Sequence, residues 1–138
     1  MLDHTADAGV LAWGPTPEAA FEHAARGMFE IVIGTEPESL EGVEATVRLD
    51  VDVEGSNWQA LVVNWLAEMV YYFDVEGFVP LHYSFDACAP PRCAATLEGI
   101  YLGDPEQAGG VGIKAVTYHQ LLVEVGPERT ELQVIFDI

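Results

Sequence analysis

Apolar residues recur along this chain at two distinct periods, and the switches between them mark out its elements. Val43, Ala45, Val47, Leu49, Val51 and Val53 alternate with Glu44, Thr46, Arg48, Asp50, Asp52 and Glu54, the period-two signature of a strand with one buried and one wet face. Upstream, Phe21, Ala25, Met28 and Val32 stand four, three and four residues apart, which places them on one stripe of a helix. That helix has a start in Thr16-Pro17-Glu18, a capping hydroxyl followed by proline and an acid, and a stop in Gly34. A second helix is expected from about Asn57 to Phe73, capped by Ser56 and ended by a glycine within Asp74 to Gly77. Leu61, Trp65, Met69 and Phe73 step along it every four residues with Val62, Leu66 and Val70 beside them, so it is the central core helix. Everything after it reads as strand. Val79, Leu81, Tyr83, Phe85 and Ala87 alternate with Pro80, His82, Ser84, Asp86 and Cys88; Pro90-Pro91 turns the chain, and Cys93 to Leu102 returns. After a glycine-rich loop from Gly103 to Gly112, Ile113, Ala115, Thr117, His119, Leu121 and Val123 share one side of a further strand, with Lys114, Val116, Tyr118, Gln120, Leu122 and Glu124 on the other. Gly126-Pro127 leads into a last strand from Glu131 to Ile138. With a short first strand ending at Gly14-Pro15, the order is β-α-β-α-β-β-β-β. The expectation is an α+β fold, a single domain over 1-138, with a mostly antiparallel sheet packed against two helices.

Composition narrows what such a domain does. Half of the 138 residues are hydrophobic, enough for one core without metals or disulfides to staple it. The formal net charge is −18, with only five Lys and Arg in the whole chain. Phosphate backbones are bound by clustered cationic side chains, so direct high-affinity nucleic-acid binding is excluded, whereas a basic protein partner or steering of cations is favoured. No apolar run reaches the length of a membrane span, and no basic segment followed by a hydrophobic one opens the chain; the expected location is cytoplasmic. Cys88 and Cys93 flank the Pro90-Pro91 turn as cross-strand neighbours and read as two buried thiols rather than a disulfide or half of a zinc site.

The candidate chemistry lies at the two ends of the chain. Written as a strand, Asp3, Thr5 and Asp7 point to one face and His4 to the other. Asp137 is the penultimate residue, beside the free carboxylate of Ile138. If the first and last strands meet, three or four carboxyl oxygens converge, and such a cluster either raises its pKa values or holds a cation. The cation is favoured. Oxygen-only ligation suits a hard divalent ion, magnesium, manganese or calcium, without distinguishing among them. Other features carry less. Asp50, Asp52 and Glu54 imitate a calcium loop but lack its glycine and terminal acid; Gly109-Gly110-Val111-Gly112 lacks the Lys-Ser/Thr of a phosphate loop; His23 lies off the apolar stripe of its helix. Lys114, the only lysine, is a possible answer to the carboxylates.

Taken together, Leu2-Asp-His-Thr-Ala-Asp-Ala-Gly9, the Glu-Ala-Ala-Phe-Glu-His-Ala-Ala core of the first helix, Leu61 to Val70, Gly112-Ile-Lys-Ala-Val-Thr-Tyr-His119 and Val134-Ile-Phe-Asp-Ile138 resemble the archease family, in the family's order and over almost the whole chain. The resemblance implies a non-catalytic protein cofactor that promotes guanylylation and multiple turnover of a GTP-dependent tRNA-splicing RNA ligase. It further implies that Asp7, Asp137 and the terminal carboxylate of Ile138 bind a metal, with Asp3, His4, Lys114 and His119 as supporting members of the neighbouring motifs. Where relatives often carry acids at the head of the second helix, Asn57 and Gln59 stand here. Two other classes fit the same carboxylates: a small metal-dependent hydrolase that activates water, and a chaperone-like acidic binding module. Against the hydrolase, no nucleophile and base stand at a working spacing.

Overall fold

A computed structural model describes residues 7–34, 42–103 and 109–138. The first strand, β1 (Asp7–Gly14), leads into α1 (Pro17–Ile33), where the Thr16 side chain accepts a hydrogen bond from the Ala19 N–H at 3.2 Å. Gly34 closes α1 with φ +73°, its N–H reaching the Glu30 carbonyl. The four stripe residues Phe21, Ala25, Met28 and Val32 are all buried. The second helix, α2 (Trp58–Glu76), starts one residue later than expected: its cap is Asn57, whose side-chain oxygen accepts from the Ala60 N–H at 2.8 Å, and not Ser56. A capping oxygen has to sit immediately before the first helical residue to reach the free amides of the first turn. The helix also continues past Phe73 to Glu76, and Gly77, at φ +70°, ends it.

The strands form two antiparallel sheets instead of one. β2 (Val47–Glu54), β3 (Phe78–Ala89) and β4 (Arg92–Tyr101) make the order β2-β4-β3. β5 (Ala115–Val116), β6 (Leu122–Val125) and β7 (Thr130–Asp137) join β1 in the other, where β7 has β1 on one flank and β5 then β6 on the opposite flank. Five strands therefore follow α2, because the expected Ile113–Val123 strand is split. Val116 faces Phe136 and Leu122 faces Gln133, six steps along one strand against three along the other, so the surplus loops out. Thr117 starts this excursion by giving both its N–H (3.1 Å) and its hydroxyl (2.9 Å) to the Ile135 carbonyl, and Gln120, at φ +52°, completes the turn.

Two further departures have the same origin in pairing. β2 begins at Val47, not Val43, because Val47 meets Gly99 near the end of β4, and Val43 ahead of it is left exposed. β3 carries two one-residue bulges against β4, between Pro80 and His82 and between Phe85 and Ala87. The first leaves Leu81 unpaired, and the Arg26 guanidinium takes its carbonyl at 3.2 Å. The second reverses the alternation, so Cys88 turns inward and not to the wet side with His82 and Ser84.

Both helices touch both sheets, α1 lying against β1, β7 and β3, and α2 against β2, β3, β4, β5 and β6. One continuous core results. Trp65 sits at its centre, fully buried, with its ring 5.2 Å from Phe85 and 6.2 Å from Phe21 and its indole N–H donated to the Phe21 carbonyl at 3.0 Å. From β7, Leu132, Val134 and Phe136 point into this core. Alternation then sends Glu131, Gln133, Ile135 and Asp137 to the outer face.

Candidate functional site

The outward residues of β1 are Asp7, Gly9, Leu11 and Trp13, and the β1–β7 register sets them opposite Asp137, Ile135, Gln133 and Glu131 in turn. Asp7 and Asp137 are thus direct cross-strand partners on one face. The backbone tightens the pair further. The Asp137 carbonyl accepts from Lys114 N–H at 2.7 Å and the Ile135 carbonyl from Thr117 N–H, so these peptide groups turn away from β1. Asp7 and Asp137 consequently form a non-hydrogen-bonded pair, the kind in which Cα atoms approach to about 4.5 Å and side chains are closest. Gly9, in the next pair of the same kind, shows the effect: a Cβ there would lie 2.8 Å from the Ile135 Cδ1.

Two like charges held this way repel. Among the described residues no salt bridge reaches either carboxylate. Ile138 packs its side chain against the core, fixing the backbone one residue beyond Asp137. Asp7 is exposed and Asp137 half-buried, leaving water free to complete a coordination shell. Two aspartates facing one another across the ladder are oxygen donors of the sort a hard divalent cation takes. The fit has a limit: among the described residues no group of three or more His, Cys, Asp or Glu side chains converges.

Lys114 adjoins the pair through its backbone, with an exposed side chain, and Ala115 faces Asp137 on the flank opposite Asp7. His119 lies in the Tyr118–Leu121 turn, where its N–H donates to the Thr117 hydroxyl at 3.2 Å, and no described hydrogen bond joins it to Asp7 or Asp137. Asp3 and His4 fall outside the described residues.

Several other polar groups are engaged elsewhere. Arg92 grips both carboxylate oxygens of Asp52, at 2.9 and 2.7 Å, and this hydrogen bonding holds Asp52 below the usual carboxylate range. Asp50 accepts from the Thr96 hydroxyl at 3.1 Å. His23 Nδ1 stands 2.7 Å from the Trp13 carbonyl, so that nitrogen is the protonated one. Cys88 and Cys93 are register partners, buried and unbridged. Gly110 serves packing: a Cβ there would clash with the Ile31 carbonyl of α1.

The profile of the Archease protein family matches residues 1–138. This chain belongs to the archease family. Protein archease of Methanosarcina mazei is 34% identical over 141 residues, spanning 99% of this chain and 93% of the relative. That of Pyrococcus furiosus is 32% identical over 142 residues, spanning 99% and 95%. The solution structure of Methanobacterium thermoautotrophicum protein 1598 superposes with a TM-score of 0.69 at 28% identity, over 99% of this chain and 96% of that one. The crystal structure of a Thermotoga maritima archease, described as a possible chaperone, gives a TM-score of 0.65 at 21% identity over 100% and 95%, a likeness of fold. The archease family profile thus spans the whole chain, and no helix among the described residues is long and apolar enough to cross a membrane.

One feature of the site escaped the sequence reading. On β1 the outward positions Leu11 and Trp13 are as apolar as the inward Val10 and Ala12, and they remain exposed. The signal was present: a strand apolar at both parities, in a sheet that buries only one of its faces.

Proposed function

We propose that this archease activates a GTP-dependent tRNA-splicing RNA ligase, promoting guanylylation and repeated turnover, and that Asp7, Asp137 and the Ile138 carboxylate are its working end. The observation that carries this reading is the Asp7/Asp137 pairing at the end of the β1–β7 ladder. It juxtaposes the second acid of the opening motif and the penultimate acid of the chain, the two residues that the family resemblance implicates. A magnesium, manganese or calcium ion held there would supply positive charge to phosphate oxygens, and phosphoryl transfer depends on charge placed in that way. The chain's own residues supply position. β7 is anchored in the core through Leu132, Val134 and Phe136, so its last carboxylates are presented on a rigid strand and not on a loose tail. Lys114 N–H holds the Asp137 carbonyl, which keeps the strand extended to its last turn-free residue.

The test is transfer of labelled GMP from GTP to the cognate ligase, with substoichiometric amounts of this protein. Wild type accelerates transfer; Asp7→Ala and Asp137→Ala each lower the stimulation at least about tenfold. In chelator both variants keep the wild-type circular dichroism and a stability within about 1 kcal/mol of wild type, since neither side chain is in the core. Stimulation that survives in both folded variants overturns the role given to the pair.

A further inference from the structure

An antiparallel sheet with one face on the core ordinarily shows water a polar face. The β2-β4-β3 sheet does so: its outer face carries Asp50, Asp52, Arg92, Thr96, Ser84 and Glu98, joined by the Arg92–Asp52 and Thr96–Asp50 bonds. The β1-β7-β6 sheet does not. Its rows run Asp7–Asp137–Ala115, then Gly9–Ile135, then Leu11–Gln133–Leu122, then Trp13–Glu131–Glu124. The middle of that face is apolar and open, with Leu11 68% exposed, Trp13 54% and Leu122 39%. Nothing in the fold requires these residues to be apolar, since the core is built from the opposite parity.

Two details show that the face is ordered. The Arg129 guanidinium lies over the Trp13 ring, 5.6 Å from its centroid, and is tied to Glu131 at 2.7 Å, so the indole is held in place. An aromatic ring already fixed loses little freedom on contact, which is what makes such rings binding anchors. Among the described residues, no second strand pairs with β1 on the edge away from β7. Because Asp7, Gly9 and Leu11 stand in non-hydrogen-bonded pairs with β7, their peptide groups point away from it, and among the described residues those of Gly9 and Leu11 have no partner.

The charges name the kind of occupant. The apolar centre is rimmed by Asp7 and Asp137 at one end and by Glu124 and Glu131 at the other, where Arg129 already pairs with Glu131 and leaves Glu124 without a salt bridge among the described residues. A second copy of the chain would bring a further −18 and the same acidic rims against them. A nucleic acid would bring phosphates. A protein surface with apolar side chains flanked by Lys and Arg complements both the centre and the rim. We propose that the outer face of the β1-β7-β6 sheet, centred on Leu11, Trp13 and Leu122, is the docking surface for a basic protein partner. It deepens the activator reading, on which it rests for the choice of partner: the carboxylate pair sits at the rim of this face, so docking there carries it to the partner's surface.

The experiment is calorimetric titration of the full chain into the cognate RNA ligase, at low and high salt, alongside the GMP-transfer assay. The variants are Leu11→Glu, Leu122→Glu and, on the other sheet, Ser84→Glu; each is first shown to melt as wild type does. Wild type binds, more weakly as salt rises. Leu11→Glu and Leu122→Glu raise Kd at least about tenfold and Ser84→Glu leaves it within about twofold. Binding and stimulation by wild type with unchanged Kd in both face variants overturns the docking surface and leaves the activator reading standing. Loss of binding in the face variants, where wild type binds without stimulating transfer, upholds the surface and overturns the activator reading. Affinity independent of salt, absence of wild-type binding, or a dimer in sedimentation that Leu11→Glu dissolves each overturns the assignment to a basic partner.

Discussion

Single residues set the terms of both core and site. Trp65 is enclosed by Phe21, Tyr83 and Phe85 and spends its one polar atom on the Phe21 carbonyl. Trp65→Ala is expected to cost about 3–5 kcal/mol, and Trp65→Phe about 1–3 kcal/mol, because phenylalanine keeps most of the volume and loses only the indole N–H. Denaturant titration separates the two, and a Trp65→Phe loss near zero would show that the hydrogen bond adds nothing. Cys88 makes a different kind of prediction. The hydrogen bond with Cys93, then burial, push its thiol far above the ordinary range, so no thiolate forms near neutral pH. Iodoacetamide at pH 8 is expected to leave both cysteines unmodified in the native protein and to modify both in denaturant, as read by intact mass; rapid native labelling would contradict the burial. At this scale parity made it legible that Asp3 and Asp7 share a face, whereas the meeting of Asp7 with Asp137 depends on the pairing of the first and last strands, which the family resemblance implied and the residues alone left conditional. The inward turn of Cys88 was not legible, because it follows from a bulge whose extra residue is decided by pairing with Ala94 and Ala95.

Elements were legible where their signals are local. Thr16 with Pro17, Gly34 and Gly77 mark helix ends through geometry that a single turn imposes, and both helices end where these residues stand. Gly34 is held by two independent constraints: φ is +73°, and a Cβ would meet the Gly109 carbonyl oxygen at 2.6 Å. Gly34→Ala is therefore expected to lower stability by about 1–3 kcal/mol in thermal melts. Strand extents were less legible, because a ladder stops where its partner stops. The division into two sheets, the late start of β2 and the split at Thr117 all depend on which strand lies alongside, and periodicity holds no record of that. The same sheets carry a pH dependence. Arg92 binds the charged form of Asp52 across the β2–β4 pair and lowers its folded pKa below the unfolded value, so the pair's contribution is present above the unfolded carboxylate pKa and is lost as pH falls through the folded one. Melting temperature against pH should accordingly fall less steeply on the acid side in Asp52→Asn than in wild type; parallel acid limbs would show that this exposed pair contributes nothing.

At the scale of the whole molecule, the charge of −18 belongs to a fold whose first and last described strands, β1 and β7, lie side by side. General repulsion and the local Asp7/Asp137 contact both oppose folding, but they respond differently to ions. Monovalent salt screens the general term over about 10 Å at 0.1 M and acts alike on every variant. A bound divalent cation acts only where carboxylates converge, and it stabilises by mass action, by about 2.7 kcal/mol at a hundredfold excess over Kd. Millimolar magnesium, manganese or calcium should thus raise the melting temperature of wild type beyond what sodium chloride of equal ionic strength achieves. Asp7→Asn and Asp137→Asn should lose that excess while keeping the sodium response. In chelator the order reverses: relieving the cross-strand repulsion leaves either variant as stable as wild type or more so, by up to about 1 kcal/mol. An excess divalent response that persists in both variants would move the cation elsewhere on the acidic surface and leave the pair as an unliganded end to the ladder.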